Sequence, residues 1–409
     1  MNELQLILYD DRIARNWFPF SLTRPVGELL YGAFTMRRRW EGAVADGVIG
    51  HVTDSALTGF DEPGAAPVLD LRQVDIQTHR LFLNSRAVPT VGLEPLIGDG
   101  GRMPDELRIG DALVGIYCAP GQPNPEESLL LDGAKSSGPE VPGKVLQNVW
   151  QLMSGSSPQL TEEITRLYGA TNRWSPIPDG VIALGPGHLV CEENAIIEAG
   201  VVLDFRAGPI VVLNGAEVRA YSRLTGPVMV GPHSTILGGR ISGSSIGPHC
   251  KVHGELEETV ILGYSNKAHD GFIGHSYIGS WVNLGAFTTN SDLKNNYGPV
   301  RLWTPAGEVD TGEMKIGCFL GDHVKTAIGT LINTGTVVGP GSNIFDGMPP
   351  KFVPPFSWGS KLGEHEFEKF AATAKTAMSR RKVALTDSHH ELLRRAWQRG
   401  RALAGAKSQ

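Results

Sequence analysis

From residue 212 to residue 344 an aliphatic side chain keeps returning at six-residue intervals. Val212, Val218, Leu224, Val230 and Ile236 are each six apart, and a second ladder runs Leu320, Thr326, Ile332, Val338, Ile344. Pairs of an aliphatic residue and glycine punctuate the same region, among them Val230-Gly231, Ile246-Gly247, Leu262-Gly263, Ile278-Gly279, Leu284-Gly285 and Val338-Gly339. A helix would repeat at 3.6 residues and a half-buried strand at 2, so neither explains a period of six. Hexapeptide repetition marks a parallel β-helix, in which each aliphatic residue stacks inward on its counterpart one coil away. Glycine follows, because the turn between faces needs a residue free of steric penalty at unusual dihedrals. The 51 glycines in 409 residues are well above the ~7% of an ordinary chain. A glycine-rich β-sandwich is the competing fold, and it would not hold a strict register through five steps.

The rest of the chain reads differently. Residues 1–153 alternate strand-like and helix-like runs: Leu4–Tyr9, Arg80–Asn84 and Leu113–Cys118 as strands, Val26–Trp40 with helical spacing. Such alternation predicts an α/β layer structure. A short helix is expected over Pro158–Tyr168, with a boundary near 175. The expected domains are therefore 1–175, 176–358 and 359–409. The hexad register lapses between Asn290 and Lys315, as it would for a loop ejected from a coil, and such loops commonly build binding surfaces. Two helices are expected in the tail, Glu364–Met378 and Ser388–Leu403, the second opened by a Ser388/Glu391 capping box.

Charge and cysteine usage exclude several classes. The net charge is −6, yet residues 361–409 hold eleven Lys/Arg against five Asp/Glu, a local +6 that leaves the body at −12. A body that acidic is a poor nucleic-acid binder. The four cysteines are far apart without a CxxC pair, which argues against zinc ribbons and disulfide frameworks and suits a reducing compartment. The start, MNELQLILYDD, lacks a secretory pattern, and no run of ~18 apolar residues occurs. A cytoplasmic protein without membrane contact is expected.

The segment SNKAHDGFIGHSYIGSWVNLGA, residues 265–286, resembles the acetyltransferase half of the bifunctional N-acetylglucosamine-1-phosphate uridylyltransferase/glucosamine-1-phosphate acetyltransferase family. That family has a Lys-Ala-Gly-His segment, two glycine-marked hexads, Asn-Ile-Gly-Ala, an ejected loop containing Asn-Tyr, then further hexads. The same order runs through residues 180–358, and the match is similar to a divergent branch of sugar nucleotidyltransferases. The resemblance implies a left-handed parallel β-helix, a homotrimer with sites between subunits, and acetyl-CoA as co-substrate. It places His269 on the catalytic histidine and Glu255 on a nearby glutamate able to orient the ring. The chemistry agrees, because attack of a sugar amine on a thioester needs a base and imidazole titrates in the right range.

Among substrate contacts the resemblance implies Asn283, then Asn296-Tyr297, for which Asn290 competes. Lys267 is the nearest replacement for a family lysine whose place Glu257 takes, and Arg240 matches a family arginine across a gap. Acyl-CoA is expected near Ile328, Gly329, Thr330 and the 341–343 segment, with Ser342 at its centre. Phe272 stands where the family has a tyrosine, which puts the acceptor sugar's identity in doubt. Asn283 is also open to a purely structural role in an asparagine ladder. His249, His253, His269, His275 and His323 invite a zinc reading. His269 and His275, six apart, fall on adjacent faces and do not converge on one ion, so no metal is expected there.

The N-terminal stretch LILYDDRIARNWFPFSLTRPVGEL resembles the start of a sugar-nucleotide pyrophosphorylase, with departures. Asp10-Asp11-Arg12 replaces the glycine-rich phosphate loop, whose glycines let backbone amides approach phosphates. Val26 stands in the lysine position after Pro25, and Leu83-Asn84 about where the family carries its metal-binding aspartate. No lysine precedes Lys135, so phosphate handling would rest on arginines, Arg12 and Arg24 first, with Arg15 and Arg86 behind them. Magnesium is expected only if this domain is active, and a degenerate nucleotidyltransferase-like domain is the reading adopted. Three functions follow: an acyl-CoA-dependent N-acyltransferase on an amino-sugar phosphate or nucleotide sugar, a sugar-1-phosphate nucleotidyltransferase, or a non-catalytic sugar-nucleotide-binding scaffold.

Overall fold

The computed structural model describes residues 4–44, 46–90, 92, 103–169, 173–359 and 363–405. The chain divides into two compact units. One comprises Met1–Leu29, Phe34–Val149 and Thr386–Ala396; the other comprises Leu30–Ala33, Trp150–Leu385 and Trp397–Gln409. The main division falls after Val149, ahead of the boundary expected near 175, and the tail forms no unit of its own.

The first unit is built on a five-stranded sheet. Strand β1 (Leu4–Tyr9) pairs in parallel with β2 (Val48–Val52) and β3 (His79–Asn84). Beyond them β5 (Ala112–Cys118) runs antiparallel to β3, and β4 (Glu106–Ile109) antiparallel to β5. Leu6, Leu8, Leu81 and Leu83 join Trp40 in one cluster, while Ile7, Tyr9 and Phe82 join Val52 in another. Both faces of the sheet are thus covered, which is why these strands read as unbroken apolar runs. The helix expected over Val26–Trp40 is shorter: α2 covers Met36–Val44 and follows the four-residue α1 (Arg12–Arg15). Leu30–Tyr31 and Phe34–Thr35 are extended, and Gly32 between them turns through φ +61°, which stops any helix there.

The second unit is a parallel β-solenoid with three faces. Face 1 holds nine strands from Leu189–Cys191 to Phe352–Val353. Face 2 runs from Ile196–Ile197 to Asn266–Lys267 and is continued through Asn283 by Lys325–Thr326 and Asn343–Ile344. Face 3 runs from Ile182–Leu184 to Phe272–Gly274, with Thr289–Asn290 pairing to Leu331–Ile332 further on. Nine of the ten ladder residues read from the sequence belong to one buried core cluster, and the tenth, Thr326, is buried at an inward position. Val212, Val218 and Leu224 lie on faces 1, 2 and 3 in turn, so six residues are one face.

Along face 1 the inward positions run Val212, Val230, Ile246, Ile261, Ile278. The first step is a full three hexads and the later ones are shorter. That contraction ends the visible period after Ile236. The chain then leaves the stack after Asn290 and forms a hairpin, Arg301–Thr304 against Gly307–Asp310, before face 1 resumes at Cys318–Leu320. The expected ejected loop is there.

Helix α3 (Ser156–Ile164) runs on into a π-turn over Thr165–Gly169, and together they cover the helix expected over Pro158–Tyr168. Helices α4 (Phe367–Ser379) and α5 (Asp387–Gly405) correspond to the two expected in the tail. The cap of α5 differs: Thr386 Oγ1 accepts from the His389 amide, so Ser388 lies inside the helix.

Candidate active site

Coils change face at corners, where non-glycine residues repeatedly take left-handed dihedrals. At the corner between faces 1 and 2 an aromatic column forms: His233, His249, Tyr264, Trp281 and His323, with successive ring centroids 5.1, 4.9, 4.3 and 6.2 Å apart. Phe370 of α4 closes it edge-on to His323 at 5.6 Å. These histidines pack.

His269 sits at the next corner, between faces 2 and 3, and is exposed. Its imidazole has no partner among the described residues, and only its carbonyl is engaged, by Lys267 Nζ at 3.2 Å. On face 2 beside it Asn266 Nδ2 donates to Asn283 Oδ1 at 3.0 Å, with Asn283 exposed. On face 3 Arg240, Glu255 and Phe272 stand in register. Arg240 donates to Glu255 Oε1 at 2.7 Å, so the glutamate expected to orient His269 is held by an arginine instead. Phe287 and the Ile328-Gly329 pair continue this corner, linked by Phe287 N to Asp270 O and Gly329 N to Ala286 O, each 2.8 Å. At ~4.8 Å per rung, Ile328-Gly329 lies about 10 Å along the axis from His269.

Four expected contacts are placed elsewhere. Lys267 points into the coil and is 4% exposed. Ser342 is fully buried, donating to Pro354 O and accepting from Ser357 N, because a small hydroxyl closes that corner from inside. Thr330 is likewise buried on Ala327 O. Asn290, the competitor for the loop role, is buried and bridges Gly274 through both its amide nitrogen and its oxygen. Asn296 and Tyr297 are exposed on the ejected loop, which leaves at the third corner, across face 3 from His269.

In the coils around His269, His253 pairs with Asp270, 3.3 Å apart, and His275 with Asp292, 2.8 Å apart. His275 holds the Asp292 carboxyl below the usual carboxylate range despite burial. Lys315 meets Glu257 at 3.2 Å, so both ends of the ejected loop are tied to the preceding coils by charge. Neither Asp270 nor Asp292 carries a motif that singles it out in the sequence. His269 and His275 occupy different corners, and among the described residues no group of three or more His, Cys, Asp or Glu is placed to hold a metal.

In the first unit two clefts open beside α1, at the carboxyl ends of the parallel strands, where ligands bind in open α/β sheets. One, of about 480 Å³, is lined by Asp11, Arg12, Asn84, Arg86, Asp132 and Lys135 among others. The other, of about 830 Å³, is lined by Arg15, Thr53, Asp54, Asp70 and Arg72 among others. In the first, each cation has a carboxylate: Arg86 with Asp11 at 2.8 Å, Arg12 with Asp132 at 3.0 Å, Lys135 with Asp111 at 3.2 Å. Asp11 also caps α1 by accepting from Ala14 N at 2.9 Å, and Arg86 keeps its carboxyl well below the ordinary value despite burial.

Where a phosphate loop would offer free amides, this chain supplies a carboxylate. Arg24 corrects an expectation: it is buried in a two-point ion pair with Glu62, both contacts 3.1 Å, and offers nothing to a phosphate. Asn84 donates to Asp11 at 3.0 Å and accepts from Arg86 N at 2.9 Å. An amide so engaged does not fit magnesium.

Residues 6–171 match a family model described as sugar nucleotidyl transferase. The chain is also similar to three curated proteins. A bifunctional sugar-1-phosphate nucleotidylyltransferase/acetyltransferase of Sulfurisphaera tokodaii is 32% identical over 93 residues, 23% of either chain. The bifunctional protein GlmU of Aromatoleum aromaticum is 24% identical over 287 residues, 60% of either chain. The uncharacterized acetyltransferase YaiX of Escherichia coli O6:K15:H31 is 26% identical over 162 residues, 37% of this chain and 68% of that one. The chain thus spans less than two thirds of the first two. Both the expected resemblance and the two-part architecture, α/β domain then β-solenoid, are present. Among the described residues no helix is long and apolar enough to cross a membrane.

Proposed function

We propose that this protein is an acyl-CoA-dependent N-acyltransferase acting on an amino-sugar phosphate or nucleotide sugar, with His269 as general base. One observation carries the reading: an exposed imidazole, without a partner among the described residues, stands at the corner between the face that carries the Asn266–Asn283 amide pair and the face that carries the Arg240–Glu255 ion pair. The imidazole takes a proton from the acceptor ammonium. The freed amine attacks the thioester carbonyl, a C–N bond forms and the C–S bond breaks. The departing thiolate takes that proton from the imidazolium, and the restored imidazole relays the second proton from the acylated nitrogen to solvent. General-base help of this kind is worth ~10²–10⁴-fold.

Acceptor phosphate would compete with Glu255 for Arg240, and the released carboxylate could then serve the imidazole. Asn283 would hold the sugar. Acyl-CoA would lie along the corner at Ile328-Gly329, where the exposed Gly329 backbone lets pantetheine approach. Asn296-Tyr297 would reach His269 from a neighbouring copy in a homotrimer, which a sedimentation measurement checks: a stable monomer excludes a shared site.

The match over 6–171 favours a second reading, nucleotidyl transfer by the first unit. Its paired cations and the Asp11-capped helix favour a site that has lost triphosphate chemistry. The deciding experiment measures thiol release from acetyl-CoA across amino-sugar phosphates, and nucleoside triphosphate turnover on the same preparation. Triphosphate turnover without thiol release would reverse the assignment.

A further inference from the structure

Inside the solenoid, the inward positions of face 2 run Ile197, Val218, Ile236, Val252 and then Lys267. Thr326 and Ile344 continue that column. Lys267 is a charged member of a column otherwise built of aliphatic residues and a threonine, and a buried ammonium is costly unless it is matched by acceptors. It is matched. Lys267 Nζ donates to His253 O and Gly271 O at 2.7 Å each and to His269 O at 3.2 Å. Those carbonyls bracket the turn Ala268–Gly271, the turn that carries His269. Gly254 makes room for the ammonium: a Cβ there would stand 2.9 Å from Nζ and 3.0 Å from Gly271 O. An aliphatic residue at 267 would fill the core equally well but would take the ammonium from three carbonyls, of which Gly271 O also accepts from Glu255 N at 3.2 Å.

We infer that Lys267 is a positioning residue, whose ammonium fixes the shape of the corner that presents His269. This rests on reading His269 as the general base. Burial brings the lysine down to about 8, opposed by the carboxylates of Asp270 and Glu255. Asp270 also faces His253, and Glu255 faces Arg240. Deprotonation of Lys267 therefore falls within a measurable range, and its two consequences have opposite signs. Between about 8 and the ~10.4 of a free lysine the unfolded chain binds more protons, so this group's contribution to stability rises with pH. Over the same range the corner loses its charged donor, so turnover falls.

The test uses the full chain and its Lys267→Met variant, with histidine ring signals followed by NMR and His269 assigned through His269→Gln. The ring signal of His269 should show a second step near pH 8 in the wild-type chain, and Lys267→Met should remove that step. In kinetics the variant should lose turnover on the order of 10²-fold, the size of effect a misplaced group produces. The KM for acetyl-CoA should stay nearly unchanged, and the alkaline fall should vanish. A His269 signal indifferent to both the pH step and the substitution, with only the melting temperature lowered, would overturn the inference and leave Lys267 a core residue. The wild-type titration needs no variant at 267, so it decides the matter even if Lys267→Met does not fold. If the wild-type chain shows no acyl transfer at all, the proposed function fails, while the NMR arms still decide the role of Lys267.

Discussion

The N-terminal cleft and the His269 corner each gather charged and titratable groups, and they are wired in opposite ways. In the cleft, Arg86, Arg12 and Lys135 each face a carboxylate of the same unit, and the helix amide a phosphate would use is taken by Asp11. At the corner, the imidazole has no partner among the described residues, while the lysine beneath it is engaged by three backbone carbonyls. A site that satisfies itself is held for shape. One that leaves an imidazole open to solvent is not held in that way. The contrast teaches that two clusters of like composition differ in what they leave open, according to whether the partners of each charge lie within the same cluster.

The strongest way to break this comparison is at His269. His269→Ala should lower turnover in the thiol-release assay by ~10²–10⁴-fold, with acetyl-CoA affinity nearly unchanged. Retention of full activity across a pH series would end the assignment. Next in size is the buried pair of the cleft. Arg86→Ala leaves the Asp11 carboxylate buried without its partner, and breaking such a pair costs roughly 3–5 kcal/mol. Denaturant unfolding should show that loss in the first unit, and acyl transfer should persist at concentrations where the chain stays folded. An unchanged midpoint would mean the pair does not hold the cleft.

A smaller effect tests the ejected loop. Asp292 lies below the ordinary carboxylate range because His275 hydrogen-bonds and faces it. A depressed carboxylate contributes stability that is present above its unfolded value of ~3.9 and is lost as pH falls through the folded one. Protection from hydrogen exchange over 291–315, taken relative to the intrinsic rate at each pH, should therefore fall on acidification below about pH 4. Asp292→Asn should show fast exchange already at neutral pH, with a cost of roughly 1.5–3 kcal/mol, the range for hydrogen bonds to charged groups. Equal exchange in both proteins would show that the pair does not anchor the loop. The smallest effect belongs to the exposed pair on face 3. Arg240→Ala should change stability by no more than ~1 kcal/mol, yet raise the KM for a phosphorylated acceptor and not for its unphosphorylated amine. A shift common to both acceptors would remove Arg240 from phosphate recognition.

How far the sequence could be read depended on how far apart the interacting residues lie. The solenoid was legible because a hexad is a local property: one face is six residues, and Val212 to Ile236 announce five successive faces without knowledge of any partner. The same reading lost its register after Ile236 because the coils shorten there, and that is where His269 and Lys267 lie. Helix ends were missed for a related reason. Gly32 and the extended residues around it depend on dihedrals that an apolar pattern over Val26–Trp40 does not carry.

By itself the sequence determined the two-part architecture and the ejected loop, since each follows from residues adjacent in the chain or spaced by a fixed period, and the candidacy of His269 followed from the resemblance of the segment 265–286. Tertiary structure alone decided which charges are available. Asp11 meets Arg86 across 75 residues, Arg12 meets Asp132 across 120, and Arg24 meets Glu62 across 38. It also decided that Lys267 points inward and Glu255 toward Arg240. Whether a charge is free depends on what lies within a few ångströms of it, and in a folded chain those neighbours come from anywhere in the sequence.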